Sequence, residues 1–229
     1  MNQKILIIDD EPDVIDMVEM NLKAAGFKIC SAEDGESGLK KAREEQPTMV
    51  ILDLMLPKMS GLEVCKALKK DAATSHIPVI MLTAKSDEVD RIVGLELGAD
   101  DYVPKPFSPR ELGLRVKSVL RRTQTVDHKQ ERLQLGDLVV DMARHEVFVR
   151  GKEVSLTATE FRLLAVLMER RGRVQSRDRL LNDVWGYESV IDTRTVDTHV
   201  RRLREKLGVL ADYVETIRGV GYRMSESAK

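Results

Sequence analysis

The chain reads as an α/β domain, a doubly wound five-stranded parallel sheet, followed by a smaller α+β domain. Three observations predict this. Short apolar runs alternate with amphipathic stretches through the first half. The run Arg121–Arg132 then holds a single apolar residue, Val126, too little to join a core. Beyond it the pattern changes to alternating strands, three helices and a hairpin. The boundaries fall at 1–122, 123–131 for a flexible linker, and 132–226.

Element by element, Ile5–Ile8 is a strand, and Val14, Met17, Val18 and Leu22 make an apolar stripe on a helix over Val14–Ala25. Gly26 suits its C′ position. Phe27–Cys30 is the second strand, and Pro47 bars extension of the helix Gly35–Glu45. Then follow strand Met49–Leu52, helix Gly61–Lys70, strand Val79–Leu82, helix Glu88–Leu97, strand Tyr102–Val103 and helix Pro109–Arg122. Five βα units require a parallel sheet with helices on both faces. Nearly continuous apolar strands agree, because such strands are buried on both sides. The expected strand order is 2-1-3-4-5, as in flavodoxin-like folds.

In the second half, Leu133–Asp141 and Glu146–Lys152 alternate as strands of a small antiparallel sheet, with a turn at Arg150-Gly151-Lys152. Thr157-Ala-Thr-Glu160 is a capping box for a helix carrying Phe161, Leu164, Leu167 and Met168. Ser176 caps a second helix, Arg177–Trp185, and a third runs from Thr195 to Leu207, ending at Gly208. A hairpin, Tyr213–Ile217 and Tyr222–Met224, turns at Arg218-Gly-Val-Gly221. Helices followed by a hairpin describe a winged helix-turn-helix.

Composition narrows the class. With 229 residues and 42% hydrophobic content, the chain buries real cores, which excludes a disordered protein. No apolar stretch approaches the roughly 18 residues of a membrane span, and the N-terminal run is too short for a signal peptide. A cytoplasmic protein with no membrane contact is the expectation. Cys30 and Cys65 lack paired metal-ligand spacing and read as buried thiols. Residues 1–122 hold 18 Lys+Arg and 21 Asp+Glu, and residues 123–229 hold 19 and 17. That asymmetry decides nothing; local clustering does.

Asp9 and Asp10 end the first apolar run, Asp53 the third, Thr83 the fourth, and Lys105 follows the fifth. In a parallel sheet all five reach the carboxyl edge, where open α/β folds build their sites. Crowded carboxylates need a counter-charge, and Mg²⁺ is a hard cation suited to oxygen ligands. One carboxylate then serves as nucleophile toward a phosphoryl group, with Thr83 and Lys105 meeting its oxygens. Taken singly, Asp10 reads equally as a helix cap, Thr83 as a cap or turn residue, and Lys105 as a solvated lysine. Together their spacing points to Mg²⁺-dependent phosphoryl transfer.

Ile7-Ile8-Asp9-Asp10-Glu11, Leu52-Asp53 through Gly61, Met81-Leu82-Thr83-Ala84 and Gly98 through Phe107 resemble the four signature segments of a response-regulator receiver domain, a CheY-like fold. The resemblance implies that Asp53 accepts a phosphoryl group from a sensor histidine kinase. It implies Mg²⁺ on Asp10, Asp53 and the Met55 carbonyl, with Asp9 completing the acidic pocket. It further implies a switch pair, Thr83 and Tyr102, and a cis Lys105–Pro106 bond. Arg194 through Arg204 together with Thr216 through Arg223 resemble the winged-helix effector of OmpR/PhoB-type transcription factors.

The third helix of that effector places Arg194, Thr195, Thr198, Arg201, Arg202 and Arg204 outward and Val196, Val200 and Leu203 inward, a cationic face for a major groove. Arg218 at the hairpin tip is expected at a minor groove or backbone. His199 is expected on phosphate, and Asp197 has only to orient an Arg. The resemblance implies that the loop 186–192 meets RNA polymerase. It also implies a homodimer on phosphorylation through Arg91, Ile92, Leu95, Asp100, Asp101, Glu111, Arg115 and Lys117, with Arg91–Glu111 and Asp101–Arg115 as pairs.

The expected protein is thus a promoter-binding regulator and not an enzyme, apart from catalysing its own phosphoryl transfer and dephosphorylation. A hydrolase of the haloacid dehalogenase type needs an Asp where Met55 stands. A DNA-binding protein indifferent to phosphorylation would show a degraded acid, Thr or Lys position, and none is degraded.

Overall fold

A computed structural model describes residues 3–84, 98–124, 132–186 and 194–227. The chain divides into two compact units, Met1–Gln124 and Thr125–Lys229. The helix expected over Glu88–Leu97 lies outside the described residues, as do residues 125–131 of the expected linker.

The first unit runs β1 (Lys4–Ile8), α1 (Pro12–Ala24), β2 (Lys28–Ala32), α2 (Gly35–Glu45), β3 (Met49–Asp53), α3 (Gly61–Lys70), β4 (Val79–Ala84), β5 (Asp101–Lys105) and α4 (Pro109–Gln124). Its strands are parallel in the order β2-β1-β3-β4-β5, as the alternating pattern requires. Residues Ile5–Ile8, Met49–Leu52 and Val79–Leu82 are wholly buried. On one face Ile5, Ile7, Ile51, Ile80 and Leu82 pack under Ile15, Val18 and Leu22 of α1 and Leu112, Val116 and Val119 of α4. Each such side chain contributes about 1.5–3 kcal/mol on burial, enough to hold both helices on the sheet. Behind the edge strand, the Lys69 ammonium is buried and donates to Ile77 O and to Asp100 Oδ2, which also accepts from Val79 N.

Two local features aim the carboxyl edge. Helix α1 opens with Glu11 at its N-cap and Pro12 in its first turn, and no side chain caps it, so Asp10 is left out of helix capping. Helix α3 opens with the capping box of Ser60 and Glu63, and its first residue, Gly61, lies against the end of β3. A Cβ on Gly61 would sit 2.1 Å from Asp53 O and 2.8 Å from Leu54 Cα. Only glycine lets α3 approach the strand end that carries Asp53.

The second unit begins with an antiparallel sheet, β6 (Arg132–Leu135), β7 (Leu138–Asp141), β8 (Glu146–Val149) and β9 (Lys152–Glu153). Helices α5 (Ala158–Glu169), α6 (Arg177–Trp185) and α7 (Arg194–Leu207) follow, then a 3₁₀ turn, Gly208–Tyr213, and the hairpin β11 (Val214–Ile217) and β12 (Gly221–Met224). The Thr157–Glu160 capping box forms as the motif predicts, and Ser176 caps α6. Glu160 is buried and also accepts from Lys206 Nζ at 2.6 Å, tying α5 to α7. Burial opposes its charge, but the Lys206 ammonium and the backbone N–H of Thr157 hold its carboxyl below the ordinary range. A short strand, β10 (Gln175–Ser176), pairs with β12 to complete a β10-β12-β11 sheet. Among the described residues no helix is long and apolar enough to cross a membrane.

Replacing Gly61 with Ala forces apart the α3 start and the β3 end. We expect a loss of about 1–3 kcal/mol, seen as a lower urea midpoint. An unchanged midpoint would mean that the close approach at Asp53 does not constrain the fold.

Candidate functional site

The ends of β1, β3, β4 and β5 bring together the groups that the spacing singled out. Oxygens of Asp9, Asp10 and Asp53 lie within 4.8 Å of one another. Asp9 and Asp53 are buried, whereas Asp10 is exposed. The Lys105 ammonium stands among the acids, 3.0 Å from Asp9 Oδ2, 3.0 Å from Glu11 Oε1 and 3.2 Å from Asp53 Oδ1. Asp9 Oδ1 accepts from the Glu11 backbone N–H at 3.0 Å, so both of its oxygens are engaged. Glu11 is a partner that sequence reasoning missed; its place after two acids was the available signal.

The electrostatics follow from crowding. Burial pushes the Asp53 carboxyl up; the Lys105 charge opposes that and the Asp9 charge adds to it, leaving it above the ordinary range. Burial works against the Lys105 ammonium, but hydrogen bonds to Glu11 and Asp9 and the Asp53 charge outweigh it and hold it raised. The ammonium is therefore a permanent cation of this edge. Three carboxylates converging with one exposed donor make an oxygen set that fits a hard divalent cation.

Thr83 is wholly buried, and its hydroxyl makes no hydrogen bond among the described residues. Tyr102 already lies inward, 6% exposed, its hydroxyl donating to Met81 Sδ at 3.2 Å. The Lys105–Pro106 bond is cis. Asp10, Glu11, Asp53 and Lys105 line a cavity of about 700 Å³ together with the apolar Val14, Met17, Met55, Pro106 and Phe107. The Met55 side chain is exposed beside it.

Of the residues expected on a dimer face, Arg91, Ile92 and Leu95 lie outside the described residues. Asp100 is not at the surface: it is buried in the ion pair with Lys69, which needs it as a counter-charge. Arg115 pairs within its own chain, with Asp101 at 3.4 Å and Glu111 at 3.1 Å, so the Asp101–Arg115 contact expected between protomers forms inside one. Lys117 and Glu111 are exposed.

Helix α7 turns Val196, Val200 and Leu203 fully inward, as the spacing predicts. Arg201 is exposed and pairs with Glu205, and Arg202 and Thr198 are half-buried. Three expectations need correction. His199 is 0% exposed and packs edge-on against Trp185, so it belongs to the core and not to a phosphate. Thr195 is likewise buried at the helix start. Arg204 is half-buried and turned to the hairpin, where it donates to Val214 O and Thr216 Oγ1. Arg218 stands exposed at the hairpin tip. Most of the 186–192 loop lies outside the described residues. Asp197 does orient an arginine, Arg177, which the sequence reading passed over because it sits on the preceding helix.

Comparison with known proteins agrees with both halves. Residues 5–117 match the response regulator receiver domain family, and residues 151–224 match the family described as transcriptional regulatory protein, C terminal. The alkaline phosphatase synthesis transcriptional regulatory protein PhoP of Bacillus subtilis is 43% identical over 99% of this chain and 98% of its own. The phosphate regulon transcriptional regulatory protein PhoB of Pseudomonas aeruginosa is 44% identical over 98% of each. Among solved structures, a RitR mutant superposes with a TM-score of 0.80 at 27% identity, covering 99% of this chain and 100% of that one. The response regulator DrrB of Thermotoga maritima, an OmpR/PhoB homolog, is 36% identical with a TM-score of 0.52, over 98% and 100%. An acid-lined sheet edge in one unit and a winged helix in the other thus make this chain a member of the OmpR/PhoB family of response regulators, phosphorylation-dependent regulators of transcription.

Proposed function

We propose that Asp53 is the phosphoacceptor and that its modification, in a Mg²⁺-dependent reaction with a sensor histidine kinase, promotes dimerisation and sequence-specific binding to promoter DNA. The observation that carries this is the Lys105 ammonium held among Asp9, Glu11 and Asp53. Asp10, Asp53 and the Met55 carbonyl are the groups to hold Mg²⁺, with Asp9 completing the pocket. The ion supplies charge neutralisation for a transferring phosphoryl group. An Asp53 oxygen attacks phosphorus while the donor's P–N bond breaks, and the imidazole leaves with the bonding electrons. Lys105 is already charged and within reach of the developing phosphoryl oxygens.

Thr83 and Tyr102 are the switch. A phosphoryl group on Asp53 adds roughly −1.5 to −2 charge, and the Thr83 hydroxyl, which has no hydrogen-bond partner among the described residues, donates to it. Tyr102 is inward already, so the modification fixes an arrangement the resting chain can adopt. The dimer is assigned to the face carrying Arg91, Ile92, Leu95, Asp101, Glu111, Arg115 and Lys117. There the Arg115 pairs exchange between protomers; Asp101 is buried and Arg115 half-buried, so the exchange replaces one ion pair by an equivalent one and sets register more than affinity. Arg194, Thr198, Arg201, Arg202 and Arg218 are assigned to DNA, and the 186–192 loop to RNA polymerase. The first domain, expected over 1–122, is proposed to end with α4 at Gln124, with the linker running from there to 131 and the second domain over 132–226.

Two measurements check this. DNA affinity of wild type and Asp53→Ala is compared with and without a small phosphodonor and Mg²⁺; only phosphorylated wild type should bind more tightly and more cooperatively. Equal affinity under every condition would remove the switch. Thr83→Val should leave the unmodified protein as stable or more stable by up to about 1 kcal/mol, since an orphaned buried hydroxyl costs about 1–3. The same variant should lose the phosphorylation-dependent gain; a large destabilisation instead would show that the hydroxyl has a resting partner.

A further inference from the structure

Side chains from α6, α7 and the hairpin meet at one aromatic ring in the second unit. Tyr222 stands in β12, the central strand, opposite Gln175 of β10 on one side and Thr216 of β11 on the other. Its hydroxyl donates to Asp197 Oδ1 of α7 at 2.7 Å, and the same oxygen accepts from Arg177 Nε at 2.7 Å. The guanidinium carbons of Arg177 and Arg204 lie 5.2 and 5.7 Å from the ring centroid. Arg204 is held further by Val214 O, at 3.0 and 2.6 Å, and by Thr216 Oγ1 at 2.7 Å. A Cβ on Gly221 would fall 2.1 Å from Gln175 O. The bare glycine lets β10 close on β12, which brings the start of α6, and with it Arg177, to the ring.

We propose that Asp197 and Tyr222 are positioning residues for duplex binding: they hold Arg177 and Arg204 as a pre-set pair of cations for backbone phosphodiesters and lock the hairpin to α7. Tyr222 is 5% exposed and its hydroxyl is spent on Asp197, so the ring has no free polar group to offer a base. Asp197, an anion on a helix assigned to an anionic partner, repels phosphate unless its charge is matched, and Arg177 matches it. Each guanidinium keeps N–H groups that these contacts do not use. An arginine ordered before binding loses less side-chain freedom on meeting phosphate than a free one. The Arg204 found turned from the expected groove-facing position thus gains a role in which its orientation is an asset.

The inference rests on reading this unit as a duplex binder, and the test separates the two. The probe is a duplex selected from a random pool by the full-length wild-type chain, titrated at several salt concentrations. Tyr222→Phe removes one hydroxyl and Asp197→Asn one charge. Each should weaken binding roughly twofold to tenfold, and the double variant should lose little more than either single one, because they act through one oxygen. The salt slope should stay at the wild-type value for Tyr222→Phe, since no phosphate contact is removed, while Arg177→Gln should lower it by about one. Circular dichroism at each titration condition gives the folded fraction. Binding by both variants equal to wild type, a loss that vanishes once the folded fraction is counted, or a slope lowered by Tyr222→Phe overturns the inference alone. A wild-type chain that captures no duplex removes the duplex-binding reading with it.

Discussion

Everything in the first unit depends on one ammonium group among carboxylates. Asp9 and Asp53 are buried at the sheet's carboxyl edge, and taking an unpaired carboxylate from water costs several kcal/mol. Lys105 offsets that cost by contacting both, together with Glu11. The arrangement is satisfied but not neutral: among the described residues, Asp9, Asp10, Glu11 and Asp53 face one cation, Lys105. The edge is thus held together while still attracting positive charge. That residual demand makes it suited to a divalent ion and to a group that carries its own negative charge past Lys105.

The second unit meets the same physics with the signs reversed. Its surface carries arginines, and acids placed between them decide which stay free. Glu205 holds Arg201, Asp197 holds Arg177, and Glu160 secures Lys206 from within the core. Arg204 reaches backbone and Thr216 of the hairpin. Two cations of α7, Arg204 and Lys206, thus also fasten the helix to its neighbours, Arg204 to the hairpin and Lys206 to α5.

What the sequence revealed followed from periodicity and from residues at strand ends. Asp9, Asp53, Thr83 and Lys105 were legible because each ends its own strand, so the order of the sheet alone brings them together. The Thr157–Glu160 box and the Ser176 cap were legible because capping is local chemistry. Contacts set by tertiary packing were not. Asp100 and Asp101 are adjacent in sequence, yet one is buried with Lys69 and the other pairs with Arg115. His199 sits on the inward stripe of α7, three residues after Val196 and four before Leu203, so the spacing placed it in the core against Trp185 while its residue type suggested a phosphate contact. The two-residue β10 is too short to show any period, and its pairing with β12 depends on Gly221 having no side chain.

The central claim is that the acid-lined edge takes a phosphoryl group on Asp53 with the help of a divalent cation. Intact-mass and peptide mass spectrometry of the full chain after treatment with a small phosphodonor tests this most directly. The account predicts one added phosphoryl group, located on Asp53, present with Mg²⁺ and absent after chelation or in Asp53→Asn. A phosphoryl group found on another residue, or formed equally well without the metal, would contradict it.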